Sequence, residues 1–141
     1  AMLALNANII TDKRTIPADK FFKGLFETSL KDGEIVTAIE FTAPAKAAYS
    51  KFPNPASRYA MAGVFVAKDK EGVRVAVTGA GESGVYRHKG LEAALDKKFD
   101  ASSVDAVKVD AKGLMSDMHA TAAYRAALIK VMAKRAVTAA G

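Results

Sequence analysis

KFPNPASRYAMAGVFVA, residues 51–67, is the stretch on which the fold turns. Its second half sets Ala60, Ala62, Val64 and Val66 on one side of an extended chain, and Met61, Gly63, Phe65 and Ala67 on the other. Successive side chains of a strand alternate between its faces, and here neither face carries a polar group. The stretch therefore predicts a central strand covered on both sides. Its first half behaves differently. Pro53 and Pro55 cannot donate to a β-ladder, so pairing must pause between a strand over residues 49–52 and the one that starts at Ala60.

Working outward, Asp69-Lys70-Glu71-Gly72 reads as a hairpin turn with glycine where a positive φ is needed, and Val73, Val75 and Val77 form the return strand. Upstream, residues 34–41 alternate, with Ile35, Thr37, Ile39 and Phe41 opposite Val36, Ala38 and Glu40, which is a strand pattern. Residues 2–11, MLALNANIIT, read as a further strand with no partner signal nearby. Between these, Asp19 can cap a helix start, and Phe21, Phe22, Leu25 and Phe26 recur at helical spacing up to a turn at Asp32-Gly33.

After Thr78 the pattern changes. Residues 91–95 predict a short helix, and Ser102 or Ser103 can cap another around residues 104–109, where Val104, Val107 and Val109 also suit a strand. Residues 121–139 predict the clearest helix, with Tyr124, Leu128, Val131 and Met132 on one stripe. Strands first and helices afterwards predict an α+β fold: an antiparallel three- to four-stranded sheet with about three helices packed on one face.

The chain has 141 residues, half of them hydrophobic, enough for one domain with one core. No apolar run approaches the ~20 residues that cross a bilayer. There is no cysteine, which excludes disulfides, zinc–thiolate sites and iron–sulfur ligation within the chain and fits a cytoplasmic protein. The net charge of +6 comes from 21 basic and 15 acidic residues. The bases are scattered singly apart from Arg125, Lys130, Lys134 and Arg135, which read as a solvated helix face and not as a nucleic-acid patch.

Gly79-Ala80-Gly81-Glu82-Ser83-Gly84 is a literal G-x-G-x-x-G after a strand. A dinucleotide site also needs a helix that opens inside the motif and a parallel βαβ unit. Here Val85-Tyr86-Arg87-His88-Lys89-Gly90 follows, and helical periodicity starts only at Leu91, so the motif reads as a strand-to-helix connection. His88 and His119 stand alone in sequence, Ser83 lies in no G-x-S-x-G elbow, and no carboxylate pair is marked out by spacing. No residue is assigned as catalytic or as a metal ligand. Lys51 and Tyr59 flank the proline loop, where hairpin geometry can bring them to one sheet edge. A lysine there can hydrogen-bond a heteroatom, and a tyrosine ring can pack on a flat cofactor. Physical reasoning alone favours the plainer reading, an exposed lysine and a half-buried aromatic.

Arg14-Thr15-Ile16-Pro17-Ala18-Asp19-Lys20-Phe21-Phe22-Lys23-Gly24-Leu25-Phe26 resembles the R-x-I-P-A-x-D-F-F-x-G passage of the FAD-binding medium subunits of molybdenum hydroxylases, aerobic carbon monoxide dehydrogenase medium chains in particular. The resemblance continues through Gly33-Glu34-Ile35-Val36-Thr37-Ala38-Ile39, Tyr49-Ser50-Lys51-Phe52, Arg58-Tyr59-Ala60 and Val75-Ala76-Val77-Thr78-Gly79-Ala80-Gly81. It ends at Ser116-Asp117-Met118-His119-Ala120-Thr121-Ala122-Ala123-Tyr124-Arg125 and Lys134-Arg135-Ala136-Val137, so it spans nearly the whole chain in order. It implies part of an oxidoreductase complex in which a large subunit carries molybdopterin and a small one carries 2Fe-2S clusters. The medium subunit binds FAD and passes electrons on. The phosphate-binding glycine motifs of that family are not in this sequence. Residues 1–15 are thus expected to be the end of a preceding FAD-binding domain, and residues 16–141 a C-terminal domain that covers the isoalloxazine. By the same resemblance Lys51, Tyr59 and Val36 fall at flavin-contacting positions. Two other readings stay open: an interaction module that docks a partner through Lys130 and Lys134, and a nucleotide binder using residues 79–84.

Overall fold

A computed structural model describes residues 1–141. The predicted central strand is β7 (Ala60–Asp69), in a four-stranded antiparallel sheet that runs β6 (Lys46–Pro53), β7, β8 (Gly72–Thr78), β9 (Tyr86–Arg87). Register is continuous from Tyr49 opposite Phe65 to Phe52 opposite Ala62, then slips at Pro53, where the missing amide ends the ladder. The β7–β8 turn closes with Asp69 opposite Gly72, which has φ +127°.

The two faces of this sheet are covered differently. On one face lie α2 (Lys89–Lys97), a 3-10 turn (Ala101–Val104) and α3 (Ala122–Ala140). Ala62, Val64, Val66, Val75 and Val77 are buried there with Leu91, Leu95, Ile129 and Met132. Full burial of such side chains is worth about 1.5–3 kcal/mol each. On the other face the first part of the chain lays Leu3, Ala4, Ala7, Ile9, Ile16, Ala18 and Phe21 over Ala67 and Ala76. The α+β class, the antiparallel sheet and its three helical segments are as expected.

That first part contains β1 (Asn8–Thr11), β2 (Thr15–Pro17), a single helical turn α1 (Ala18–Phe21), the small hairpin β3 (Phe22–Gly24) and β4 (Glu27–Thr28), and β5 (Val36–Glu40). β1 is the middle strand of a second sheet, between β2 and β5. A boundary after residue 15 therefore falls within β2, inside one sheet.

Four local expectations need correction. The helix through Phe21, Phe22, Leu25 and Phe26 is only one turn long, because Phe21 alone finds a buried site and a helix this short has no other support. The chain turns back instead at Leu25–Phe26, and Phe26 has φ +60°. Asp19 does not cap that turn; its carboxylate meets Arg74 at 3.0 Å and Arg87 at 3.3 Å, two charges that outcompete neutral amides. Residues 105–109 form neither helix nor strand: Asp100 accepts from Ser102 N at 2.8 Å to start a 3-10 turn that ends at Val104, and among residues 104–109 only Val104 is fully buried. On α3 the buried stripe holds Leu128 and Met132 but leaves Tyr124 and Val131 exposed, because Ala126, Ala133 and Ala136 turn the helix onto the sheet through its small residues.

Candidate functional site

Alternation along β6 decides what can line a site. Ser50 meets the Met132 sulfur at 3.5 Å, and the Phe52 ring stands edge-on to Tyr124 at 6.3 Å, so both point toward α3. Tyr49 and Lys51 therefore point to the other face. Tyr49 stacks on Phe65 at 6.4 Å between ring centroids, and its hydroxyl fills the place that a Cβ on Gly63 would need. Lys51 lies opposite Gly63.

The proline loop brings Tyr59 to the same place. Asn54 organises it: its backbone N–H donates to Tyr59 O at 2.7 Å, and its side-chain oxygen accepts from Ala56 N at 2.9 Å and Ser57 N at 3.2 Å. Arg58 adopts φ +63°, and its carbonyl accepts from Lys51 Nζ at 3.1 Å. One of the three ammonium hydrogens of Lys51 is thus used to hold the loop, which leaves two for other acceptors. Tyr59 follows with 79% of its surface exposed.

Lys51, Tyr59 and Tyr49 border one open cleft of about 730 Å³, floored by Ala60, Gly79 and Gly81 and closed on its far side by the β3–β4 hairpin. It lies on the sheet face away from α3, beside the N-terminal covering. Its lining is half hydrophobic, with Phe22, Phe26, Tyr49 and Tyr59 among its rings and the Lys51 ammonium and Glu27 carboxylate at its border, an arrangement that suits a flat ring with a polar edge. Val36 is elsewhere: it sits on β5 opposite Thr11, 37% exposed, and does not line the cleft. The structure brings Lys51 and Tyr59 together and leaves Val36 apart.

The glycine motif forms part of this floor. Gly81 bridges to Leu114, β8 is antiparallel to both its neighbours, and α2 begins only at Lys89, so no helix N-terminus opens within the motif. His88 caps α2, its Nδ1 accepting from Leu91 N at 3.2 Å, and burial holds its pKa below the usual value. The group read as a solvated basic face divides. Lys134 pairs with the Asp105 carboxylate and Lys130 donates to the Asp105 carbonyl at 3.0 Å, so both are engaged within the chain.

Arg125 is not solvated at all, and sequence reasoning missed it. Its Nη1 donates to Met61 O at 2.6 Å and Gly79 O at 2.9 Å, and its Nη2 to the Asp117 carboxylate at 2.7 Å. The guanidinium thereby ties together the start of β7, the end of β8 and the loop before α3, directly beneath the cleft floor. Asp117 also accepts from the His119 and Ala120 amides, and with Arg125 these hold its carboxyl below the usual range. In the sequence the pair showed only as an aspartate eight residues before an arginine, at the two ends of the resembling stretch 116–125, and such spacing does not reveal contacts to carbonyls.

No family model matches the chain. It is 30% identical over 153 aligned residues to the carbon monoxide dehydrogenase medium chain of Hydrogenophaga pseudoflava, covering 98% of this chain and 53% of that one. It is also 30% identical over 158 residues to the nicotine 6-hydroxylase medium subunit of Paenarthrobacter nicotinovorans, with 99% of this chain and 54% of the relative covered. This chain is a relative of those medium subunits. The family resemblance read from the sequence is borne out. The chain spans about half the length of these relatives, and because the likeness runs along nearly all of it, the cleft and the Arg125 clamp fall within the matched region.

Proposed function

We propose that this chain is the flavin-covering, C-terminal part of the FAD-binding medium subunit of a molybdenum hydroxylase, an oxidoreductase of the carbon monoxide dehydrogenase type. Its partners in a cytoplasmic complex are a large molybdopterin subunit and a small iron–sulfur subunit with 2Fe-2S clusters. Residues 1–15 lead out of a preceding FAD-binding domain, and residues 16–141 form the covering domain. When bound, the flavin would take electrons from the 2Fe-2S clusters and pass them to the final acceptor.

The observation that carries this reading is the cleft. An isoalloxazine has two apolar faces and an edge of nitrogen and oxygen acceptors. The exposed Tyr59 ring matches a face, and the free ammonium hydrogens of Lys51 match the edge. The floor is lined by Gly79 and Gly81, where a Cβ would overlap the Ala60 carbonyl and crowd the Gly84 carbonyl, so the floor packs too closely for a side chain at either position. The residues fit the ring but supply no cluster of donors for a pyrophosphate, as expected if another domain holds that end. Val36 stays in the proposal on resemblance alone.

The chain should therefore bind FAD weakly by itself. Absorbance titration is expected to give no saturation at micromolar FAD with these 141 residues, and stoichiometric binding with a subunit of the relatives' full length. Tight FAD binding by the 141 residues alone would overturn the domain assignment.

A further inference from the structure

The β3–β4 hairpin presents Leu25 and Phe26 at its tip, 50% and 100% exposed. Phe26 is held in the left-handed region, φ +60°, which is disfavoured for bulky residues and is visited mainly by glycine and asparagine. A tight turn could relieve this with glycine or asparagine at no cost in packing, since the ring touches nothing in the chain. An exposed aromatic kept in a disfavoured conformation points from strain to a binding role.

The stem of the hairpin is firmly held. Phe21 is buried, stands edge-on to Phe22 at 5.2 Å, and its carbonyl accepts from Ser29 N at 2.8 Å across the base. The glycine loop that floors the cleft spans from the Tyr59 side to this hairpin. At one end a Cβ on Gly79 (φ +76°) would overlap the Ala60 carbonyl, next to Tyr59. At the other a Cβ on Gly84 (φ +90°) would come within 3.2 Å of the Gly24 carbonyl, next to Leu25. Leu25, Phe26, Tyr59 and Lys51 all line the same cleft.

We infer that the Leu25–Phe26 tip is the second wall of this cleft, and that a flat aromatic heterocycle is held between it and Tyr59, with its polar edge toward Lys51. The inference rests on the reading that the cleft takes a flavin ring, and it adds a ring-contacting residue that the resemblance did not supply. Because the Phe26 ring packs against nothing, its removal should alter ligand binding without altering the fold.

FMN, soluble to millimolar concentrations, is the probe, titrated into the nitrogen-15-labelled 141-residue chain and followed by amide chemical shifts. The amides of Leu25, Phe26 and Tyr59 are expected to move on one shared saturating curve. Phe26→Ala and Tyr59→Ala should each weaken the apparent affinity about fivefold, the loss of one aromatic contact. The thermal midpoint of Phe26→Ala should equal that of the unaltered chain, and Phe26→Tyr should keep the affinity. If Tyr59 responds and Phe26→Ala binds FMN as well as before, the hairpin inference is overturned and the flavin reading stands. Shifts at the hairpin without any at Tyr59 or Lys51 would overturn both. No shift anywhere at millimolar FMN would overturn the two-walled cleft, while FAD binding by the full-length subunit judges the flavin reading separately.

Discussion

Arg125 stands in the first turn of α3 with its side chain 4% exposed and three oxygens around it. Arg125→Ala would leave Met61 O and Gly79 O without their donor and Asp117 without its ion partner. Buried groups left unpaired cost about 1–3 kcal/mol each, so urea unfolding should report a loss of roughly 3 kcal/mol. Arg125→Lys should recover little, because a point-like ammonium cannot fork to oxygens on three segments. Glu34 makes the acidic counterpart: Arg14 donates to both its oxygens, at 2.8 and 2.9 Å, and Lys31 N and Thr11 Oγ1 also donate to it. Arg14 foremost, then the Lys31 amide, hold its pKa at about 2, against an ordinary value of 4.5. A carboxylate depressed on folding stabilises fully above its unfolded pKa and loses that contribution as pH falls toward the folded one. Thermal midpoints should therefore drop between about pH 4.5 and 2 in the native chain, and Glu34→Gln should flatten that part of the profile while lowering the midpoint at neutral pH. Lys51 and Tyr59 were legible in sequence because a proline loop fixes where its flanks go. Arg125 and Glu34 were not, since their partners are carbonyls and amides brought near only by the tertiary fold.

Elements followed the sequence where burial agreed with periodicity. β7, β8 and α2 lie within a residue or two of the pattern because one repeat fits one environment, and Thr121 caps α3 by accepting from Tyr124 N at 3.2 Å. The reading failed around α1, where four apolar residues at helical spacing had only one buried site between them, and at residues 104–109, where the pattern served two periods equally. α2 also carries a testable cap. His88 Nδ1 can accept from Leu91 N only while the imidazole is neutral at that nitrogen, and its ring is half-buried. Burial lowers its pKa, with the Glu92 charge opposing from within α2. The unfolded chain thus takes up the proton first as pH falls below 6.5, and stability declines from there until the folded histidine is also protonated. His88→Asn keeps an oxygen acceptor at the cap and cannot charge. Its melting profile should be level across this window, whereas the native chain should lose stability toward acid; parallel profiles would remove His88 from this role.

The molecule as a whole is a sheet with one face sealed by helices and the other sealed only in part. Under α2 and α3 the side chains are fully enclosed, Leu95 and Ile129 among them at 0% exposure. The second sheet is different: every residue of β5 is exposed, and Ile35, Ile39 and Phe41 show 66%, 47% and 52% of their surface. These positions alternate as a strand should, which is why residues 34–41 were legible as one, yet alternation alone could not tell whether either side would be covered. The contrast predicts two energetic classes. Leu95→Ala opens a cavity in a packed core and should cost about 2–5 kcal/mol. Ile39→Thr keeps β-branching and exchanges the ethyl arm of a half-exposed side chain for a hydroxyl, so the unfolding free energy in urea should change by no more than about 0.5 kcal/mol. The measurement is best made at two protein concentrations. If β5 is free in the isolated chain, the Ile39→Thr difference stays small and does not depend on concentration. A cost approaching that of Leu95→Ala, growing with protein concentration, would mean that a second copy covers β5 in solution and that the exposed strand belongs to an interface.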